Sequence, residues 1–394
     1  MLRVAYLFER FPSFTQTFCY REVAELIQQG VDVRVFSIRR PMDEPWQDWG
    51  CLVQEITYLP EESVILSEIT QLTRNEKLPP AASAAIQNWG RRTDFLRLAQ
   101  AVYVGMRLRE QGVDRVHAHF AGMAARTAYW IREFFGIDYS LTAHANDIFA
   151  PRDFEISLSM LLERAVAIVT ESDFAANYIR ERFPAVVAKV HRVYNGLDLR
   201  RFQPAAIRSD PPRIISVGRL IEKKGFRNLI AACALLRGAG RAFHCEIIGD
   251  GPLLDDLSAK ILANQLDDHV QLVSALPQSE IAQRLAAATI FVLPCIKESG
   301  GGMDNLPTVI MEAMASGLPV ISTATAGVPE MVDAGETGLL VPPDEPRALA
   351  EAIATLISQP DEARRLGARG RERAAEKFSI ETNVKALVEI LEGA

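Results

Sequence analysis

The stretch SVGRLIEKKG, residues 216 to 225, closes an apolar run with glycine and then presents Arg219 and Lys224 within one loop. Two cations at the carboxyl end of a strand suit the phosphate oxygens of a ligand in an α/β crevice, with solvated surface charges as the competing account. Further along, GGMDNLPTVIMEAMASGLPVIST, residues 301 to 323, carries two carboxylates, Asp304 and Glu312, behind a glycine-rich loop. Asp304 or Asn305 reads as the cap of a helix with Pro307 in its first turn, and the amides of such a start face an anion or hydroxyls. Glu312 then lies just over two turns on, about 12 Å by helical rise. At that separation the carboxylates cannot share a metal ion or a proton, but each can grip a different part of an elongated, hydroxyl-rich ligand. The plainer account makes Asp304 a cap and Glu312 a surface residue. The apolar AMASGLPVI beside Glu312 argues against a charged face.

Strand ends and turns have to hold these groups in place. RVAYLF, VDVRVFSI, DRVHAHF, YSLTAH, VAIVTES and KVHRVYNG alternate with helix-like sequence or turns in the first half. The rhythm restarts with IISVG, FHCEIIGDG, HVQLVS, ATIFVLP, LPVIST and GLLVPP. Such alternation predicts βα units and a parallel sheet, twice over. At 394 residues the chain exceeds what one core usually supports. The polar, proline-bearing DLRRFQPAAIRSDPPR, residues 198 to 213, reads as the linker. The expected division is therefore 1–205, 206–378, and an amphipathic C-terminal helix over 379–394, capped from Ser379 and able to cross back to the first domain. Residues 41 to 80, rich in proline and tryptophan, read as an irregular insertion with one helix. The glycines around Asp250 in IIGDGP read as turn chemistry.

A formal charge of -7, from 43 basic and 50 acidic residues, argues against nucleic acid as a partner. The five cysteines are scattered, with no Cys-x-x-Cys pair, which suggests neither disulfides nor zinc and fits a reducing cytoplasm. No apolar stretch approaches the roughly 20 residues of a membrane span. Membrane contact would be peripheral, on the inner face, and WGRRTDFLRLAQAVYVGMRLRE, residues 89 to 110, is the candidate: an apolar stripe of Phe95, Leu98, Val102 and Met106 among Arg91, Arg92, Arg97, Arg107 and Arg109. Packing onto the N-terminal sheet explains the same stripe and is preferred.

With EAMASGLPVI after a carboxylate-x7-Glu pair, then GVPEMV, GETGLLVPP and the upstream VYNGLDLRRFQP and VGRLIEKKG, the region from residue 190 to 345 resembles the retaining glycosyltransferases of family 4. The resemblance implies the α/β GT-B fold: two facing Rossmann-like domains with an interdomain cleft, a nucleotide-sugar donor on the C-terminal domain and the acceptor on the N-terminal one. It implies that Asp304, with the amides near Asn305, Leu306 and Pro307, holds the donor sugar's hydroxyls. Glu312 takes the nucleotide ribose, and Arg219 and Lys224 take the diphosphate. The family's first carboxylate is normally Glu, so Asp304 is a departure by one methylene. FPSFTQTFCYREVAEL resembles a subgroup of polysaccharide-assembly transferases and puts Ser13, Thr15 and Gln16 near the cleft. His119 matches the position that reaches the donor sugar at the reaction centre; His144 and Asp147 match a subgroup motif for acceptor contact or cleft shape; His117 is structural by strand alternation.

The expected reaction is transfer of a glycosyl unit, with retention, to a hydroxyl of a glycan, lipid-linked glycan or other acceptor in cell-surface polysaccharide or glycoconjugate synthesis. UDP-sugars are the favoured donors, with GDP- and ADP-sugars as alternatives. No cofactor and no metal is expected: the chain has no Asp-x-Asp motif, and the two cations replace an ion. A nucleotide-sugar 2-epimerase of the same fold and a non-catalytic nucleotide-sugar-binding subunit are the other readings.

Overall fold

A computed structural model describes residues 2–41, 56–89, 94–150, 153–204 and 210–394. The N-terminal sheet contains β1 (Arg3–Arg10), β2 (Asp32–Arg39), β3 (Ile56–Tyr58), β4 (Arg115–His119), β5 (Asp138–Thr142), β6 (Ile168–Thr170) and β7 (Val190–Arg192), in the order β3-β2-β1-β4-β5-β6-β7. The C-terminal sheet contains β8 (Arg213–Val217), β9 (His244–Ile248), β10 (Val270–Val273), β11 (Ile290–Leu293), β12 (Val320–Thr323) and β13 (Gly338–Val341), in the order β10-β9-β8-β11-β12-β13. Every pairing is parallel, and Tyr6 of β1 sits opposite Val35 on one side and His117 on the other. Parallel strands covered by helices on both faces tend to be apolar throughout, as the fully buried β11 is; in β12 the buried Ser322 and Thr323 hydroxyls donate to backbone carbonyls instead.

Both sheets reverse strand order once, between β1 and β4 and between β8 and β11. Loops leaving the carboxyl ends on either side of such a reversal diverge and leave a crevice. Arg219 follows β8, Asp304 lies on the loop after β11, and residues 13 to 17 follow β1. The reversals thus bring together side chains far apart in sequence.

The region of residues 41 to 80 is more regular than its composition predicts. β3 forms the sheet edge, and helices span Glu62–Arg74 and Pro80–Trp89; residues 42–55 lie outside the described residues. The basic stripe packs inside the N-terminal domain, the account preferred from the sequence, mainly against helices. In the helix Phe95–Glu110, Leu98 and Val102 are buried, and so is Arg97. Arg107 reaches Glu68 at 3.1 Å, and the helix packs against Met123–Phe135 and Glu62–Arg74. Phe95 and Met106 are half-buried, so protein covers most of the apolar stripe; Arg91 and Arg92 lie outside the described residues. Among the described residues no helix is long and apolar enough to cross a membrane. Cys19, Cys233, Cys245 and Cys295 are buried and free, and Cys51 lies outside the described residues.

The chain passes between the two domains twice. After β7 it enters the C-terminal domain. The helix Pro360–Lys377 packs there, and the chain then returns at Phe378–Ser379. The two passages bond to each other, Leu197 N donating to Phe378 O at 2.8 Å and Ile380 N to Leu197 O at 3.2 Å. Gly196 makes this crossing fit, because a Cβ there would lie 2.5 Å from the backbone of Ile380. The last helix, Ile380–Gly393, begins with Ser379 Oγ accepting from Thr382 N. It buries Ile380 and Val384 against Val4, Tyr6, Val23 and Leu26 of the N-terminal domain.

Candidate active site

A cleft of about 570 Å³ opens between the domains at both reversal points. Its C-terminal wall starts at Gly218 and Arg219 and continues through Lys223 and Lys224 on the turn Glu222–Lys224. Gly225 ends that turn with φ +67, and a Cβ there would lie 1.9 Å from Pro294 O. Only glycine allows the turn to lie this close to the loop carrying Asp304. Lys224 Nζ meets Asp304 Oδ2 at 2.5 Å and Lys223 Nζ meets Oδ1 at 3.4 Å. Burial opposes ionisation of Asp304, but Lys224 and then Lys223 outweigh it and hold the carboxyl below its usual range. Burial likewise pulls Lys224 down, and Asp304 overrides it to leave the ammonium above its usual value. Arg219 is exposed at the cleft.

The glycine-rich loop does not cap a helix through Asp304 or Asn305. The helix runs Thr308–Ala315, and Pro307 stands at its cap position rather than in its first turn. The two lysines draw the Asp304 carboxylate away, and an ion pair replaces the local cap. Asn305 is 2% exposed and accepts from Ser172 Oγ at 2.6 Å, a bond that joins the two domains. Leu306, Pro307 and Glu312 line the cleft, with Glu312 held by Arg21 at 2.6 Å and Gln278 at 3.0 Å.

The N-terminal wall is formed by Phe14 to Phe18, Phe120, His144, Asn146 and Glu171. Thr15, Gln16 and His144 are where the sequence suggested. Ser13 and Asp147 do not line the cleft: Ser13 is 7% exposed, and Asp147 Oδ2 accepts from His144 N at 2.9 Å as the cap of the short helix Ala145–Phe149. His119 is displaced too, being 1% exposed and absent from the lining. Strand positions two apart share a face. His117 and His119 therefore both point under the helix Thr17–Gln28, where both pack on the Tyr6 ring.

His119 belongs to a buried chain of polar groups. Its Nε2 donates to Glu22 Oε1 at 3.0 Å, and Tyr6 Oη donates to the same oxygen at 2.9 Å. His119 Nδ1 lies 3.2 Å from His144 Nε2. His144 Nδ1 in turn lies 2.7 Å from Glu171 Oε2. Burial disfavours the His144 cation, yet Glu171 outweighs it and raises the imidazole above its usual range. The chain thus delivers a paired cation and carboxylate to the cleft wall. Glu22, His117 and His119 also bring ligand atoms within 4.8 Å of one another, the geometry of a cation site. Hydrogen bonds already occupy them: His117 uses Nδ1 on Ser140 at 2.8 Å and Nε2 on Thr142 at 3.0 Å. Burial, and then His119, depresses His117 to about 3, as a neutral core imidazole requires.

Lys223, Gln278, Arg21 and Glu171 were not marked by the sequence. Lys223 stood in the EKKG stretch, one position from a residue that was. It also reaches across the cleft, its Nζ donating to Asn146 Oδ1 at 3.1 Å.

Two family models match the chain: Glycosyltransferase Family 4 over residues 15–201 and Glycosyl transferases group 1 over residues 200–373. The putative colanic acid biosynthesis glycosyltransferase WcaL of Salmonella typhimurium is 29% identical over 414 residues, covering 99% of this chain and 100% of that protein. Alpha-maltose-1-phosphate synthase of Mycolicibacterium smegmatis is 31% identical over 299 residues, covering 67% of this chain and 75% of that one. Among solved structures, Anabaena HepE in complex with UDP superposes with a TM-score of 0.76 at 16% identity, covering both chains fully.

Proposed function

The chain belongs to glycosyltransferase family 4, and from that premise we propose that it transfers a sugar, with retention, from a nucleotide-sugar donor to a hydroxyl of a glycan or lipid-linked glycan in exopolysaccharide assembly. Neither a 2-epimerase nor a non-catalytic subunit is favoured by this membership. The observation that carries the reading is the charge balance at the C-terminal wall. Arg219, Lys223 and Lys224 gather around one carboxylate, Asp304, while Glu312 is paired with Arg21 and Asp250 accepts from Ala275 N, so a local excess of cations faces the place of a diphosphate diester.

On this reading Arg219 and Lys224 stabilise the departing nucleotide, where negative charge collects as the glycosidic bond breaks. Asp304, aimed by the two lysines, accepts from the donor sugar's hydroxyls together with the amides around Asn305, Leu306 and Pro307. Glu312 accepts from the ribose. The paired His144 and Glu171, with Thr15 and Gln16, face the acceptor, and His119 holds His144 from behind. The name of WcaL supports the polysaccharide context, and the UDP bound to HepE supports a uridine donor. A lipid-linked acceptor would bring the N-terminal domain to a membrane surface.

Incubation with UDP-, GDP- and ADP-sugars, read as release of nucleoside diphosphate, tests the proposal. One donor class is hydrolysed slowly, and the rate is unchanged by EDTA because lysine and arginine carry the charge stabilisation. Absence of turnover and of binding across the panel would sink the reading. Loss of turnover in EDTA with rescue by magnesium would remove its metal-independent part.

A further inference from the structure

Glu312 is held from both domains. Arg21 comes from the helix Thr17–Gln28 of the N-terminal domain and Gln278 from the helix Gln278–Ala286 of the C-terminal one. Both donate to the same oxygen, Oε1, at 2.6 and 3.0 Å. Among the described residues Oε2 has no side-chain partner, on a residue that lines the cleft. The Arg21 and Glu312 side chains are 11% and 8% exposed, so solvent screens the pair little. Arg21 Nη2 also donates to Thr17 Oγ1 at 3.2 Å, and Thr17 opens its helix and lines the cleft beside Thr15 and Gln16. The other terminal nitrogen, Nη1, is buried and has no hydrogen-bond partner among the described residues.

We propose that Arg21 is a positioning residue for the donor: it fixes Glu312 through Oε1 so that Oε2 receives the ribose hydroxyls of a nucleoside diphosphate. This rests on the reading of Glu312 as the ribose ligand. Nη1 supplies a donor for a ribose oxygen that reaches the same carboxylate. Through Thr17 the pair also links the donor site to the loop that forms the acceptor wall. A residue of the acceptor domain thereby contributes to donor affinity, and filling the donor site draws the N-terminal wall into place.

Titration calorimetry with UDP, GDP and ADP on the full chain tests this. Wild-type protein binds one of them, and Arg21→Ala binds it about tenfold or more weakly, the effect of losing a charge-assisted contact. Arg21→Lys, which keeps the charge but not the planar fork, falls between them. In turnover the donor KM rises more than kcat falls, a split that loss of folding would not produce, and the melting temperatures of ligand-free Arg21→Ala and Arg21→Lys control for stability. In a Glu312→Gln background the Arg21→Ala change alters affinity by less than about twofold, because the partner it acts through is gone. Equal or tighter binding by Arg21→Ala and Arg21→Lys, or full additivity with Glu312→Gln, overturns the inference and leaves the proposed function standing. A wild type that binds none of the three diphosphates overturns both.

Discussion

The two walls of the cleft are built on different principles. On the C-terminal wall, Arg219, Lys223 and Lys224 lie within six positions, and Asp304 to Glu312 within nine, so short loops locked by glycine set the geometry. On the N-terminal wall the lining groups come from the ends of β1, β4, β5 and β6, and a chain of polar contacts runs behind them from Glu22 through His119 and His144 to Glu171. A grip made of adjacent residues survives changes elsewhere in the fold. One made of four strand ends depends on the whole sheet. The first suits a ligand common to a large family, the second a partner particular to one member.

If the C-terminal wall carries the charge of the leaving group, Lys224→Ala should be the most damaging single change. It removes a cation at the diphosphate and frees Asp304 from its shorter contact, so kcat at saturating donor should fall by about a hundredfold or more. A loss of only a few-fold would shift that role to Arg219 and Lys223.

Asp304→Asn sharpens the division within the same wall. Because Asp304 caps no helix, the variant should keep the helix start and lose only the charge. Sugar transfer should fall by roughly tenfold or more while UDP affinity changes by less than about threefold, since the free diphosphate lacks the sugar. Parallel losses in both would place Asp304 at the phosphates instead.

The N-terminal wall should respond through pH, with the smallest change in rate. Glu171 raises His144, so their pairing is complete below the usual imidazole range and is lost as pH rises through the raised value. Glu171→Gln should move the alkaline limb of kcat/KM to lower pH and leave UDP affinity untouched. Histidine titration by NMR would follow the same step, and an unmoved limb would detach this pair from catalysis.

The sequence disclosed the two walls unequally for the same reason that they differ in build. Twelve strands were legible as apolar runs, and Arg219, Lys224, Asp304 and Glu312 as a local pattern. β3 was not, because three residues inside a proline-rich stretch carry no period. The Asp304 cap was misread because DNLP has the local chemistry of a helix start, and only the folded chain brings Lys223 and Lys224 to compete for the carboxylate. Arg21 and Glu312 are 291 positions apart, and no window along the chain can pair them. His119 was separated from His117 although strand alternation puts both on one face. Arg97 looked like a surface charge until the helix around it was seen to be enclosed.

The return of the chain at Phe378 bears on how the protein is made. Val4, Tyr6, Val23 and Leu26 leave the ribosome before the C-terminal domain, yet the residues that cover them, Ile380 and Val384, leave after it. Domains ordinarily complete folding in the order of their synthesis. Here the N-terminal domain must wait with one apolar face open while the C-terminal one is built, and the helix Ile380–Gly393 then closes that face. A nascent chain arrested at residue 378 should therefore present that face to chaperones, even with the entire C-terminal sheet already translated.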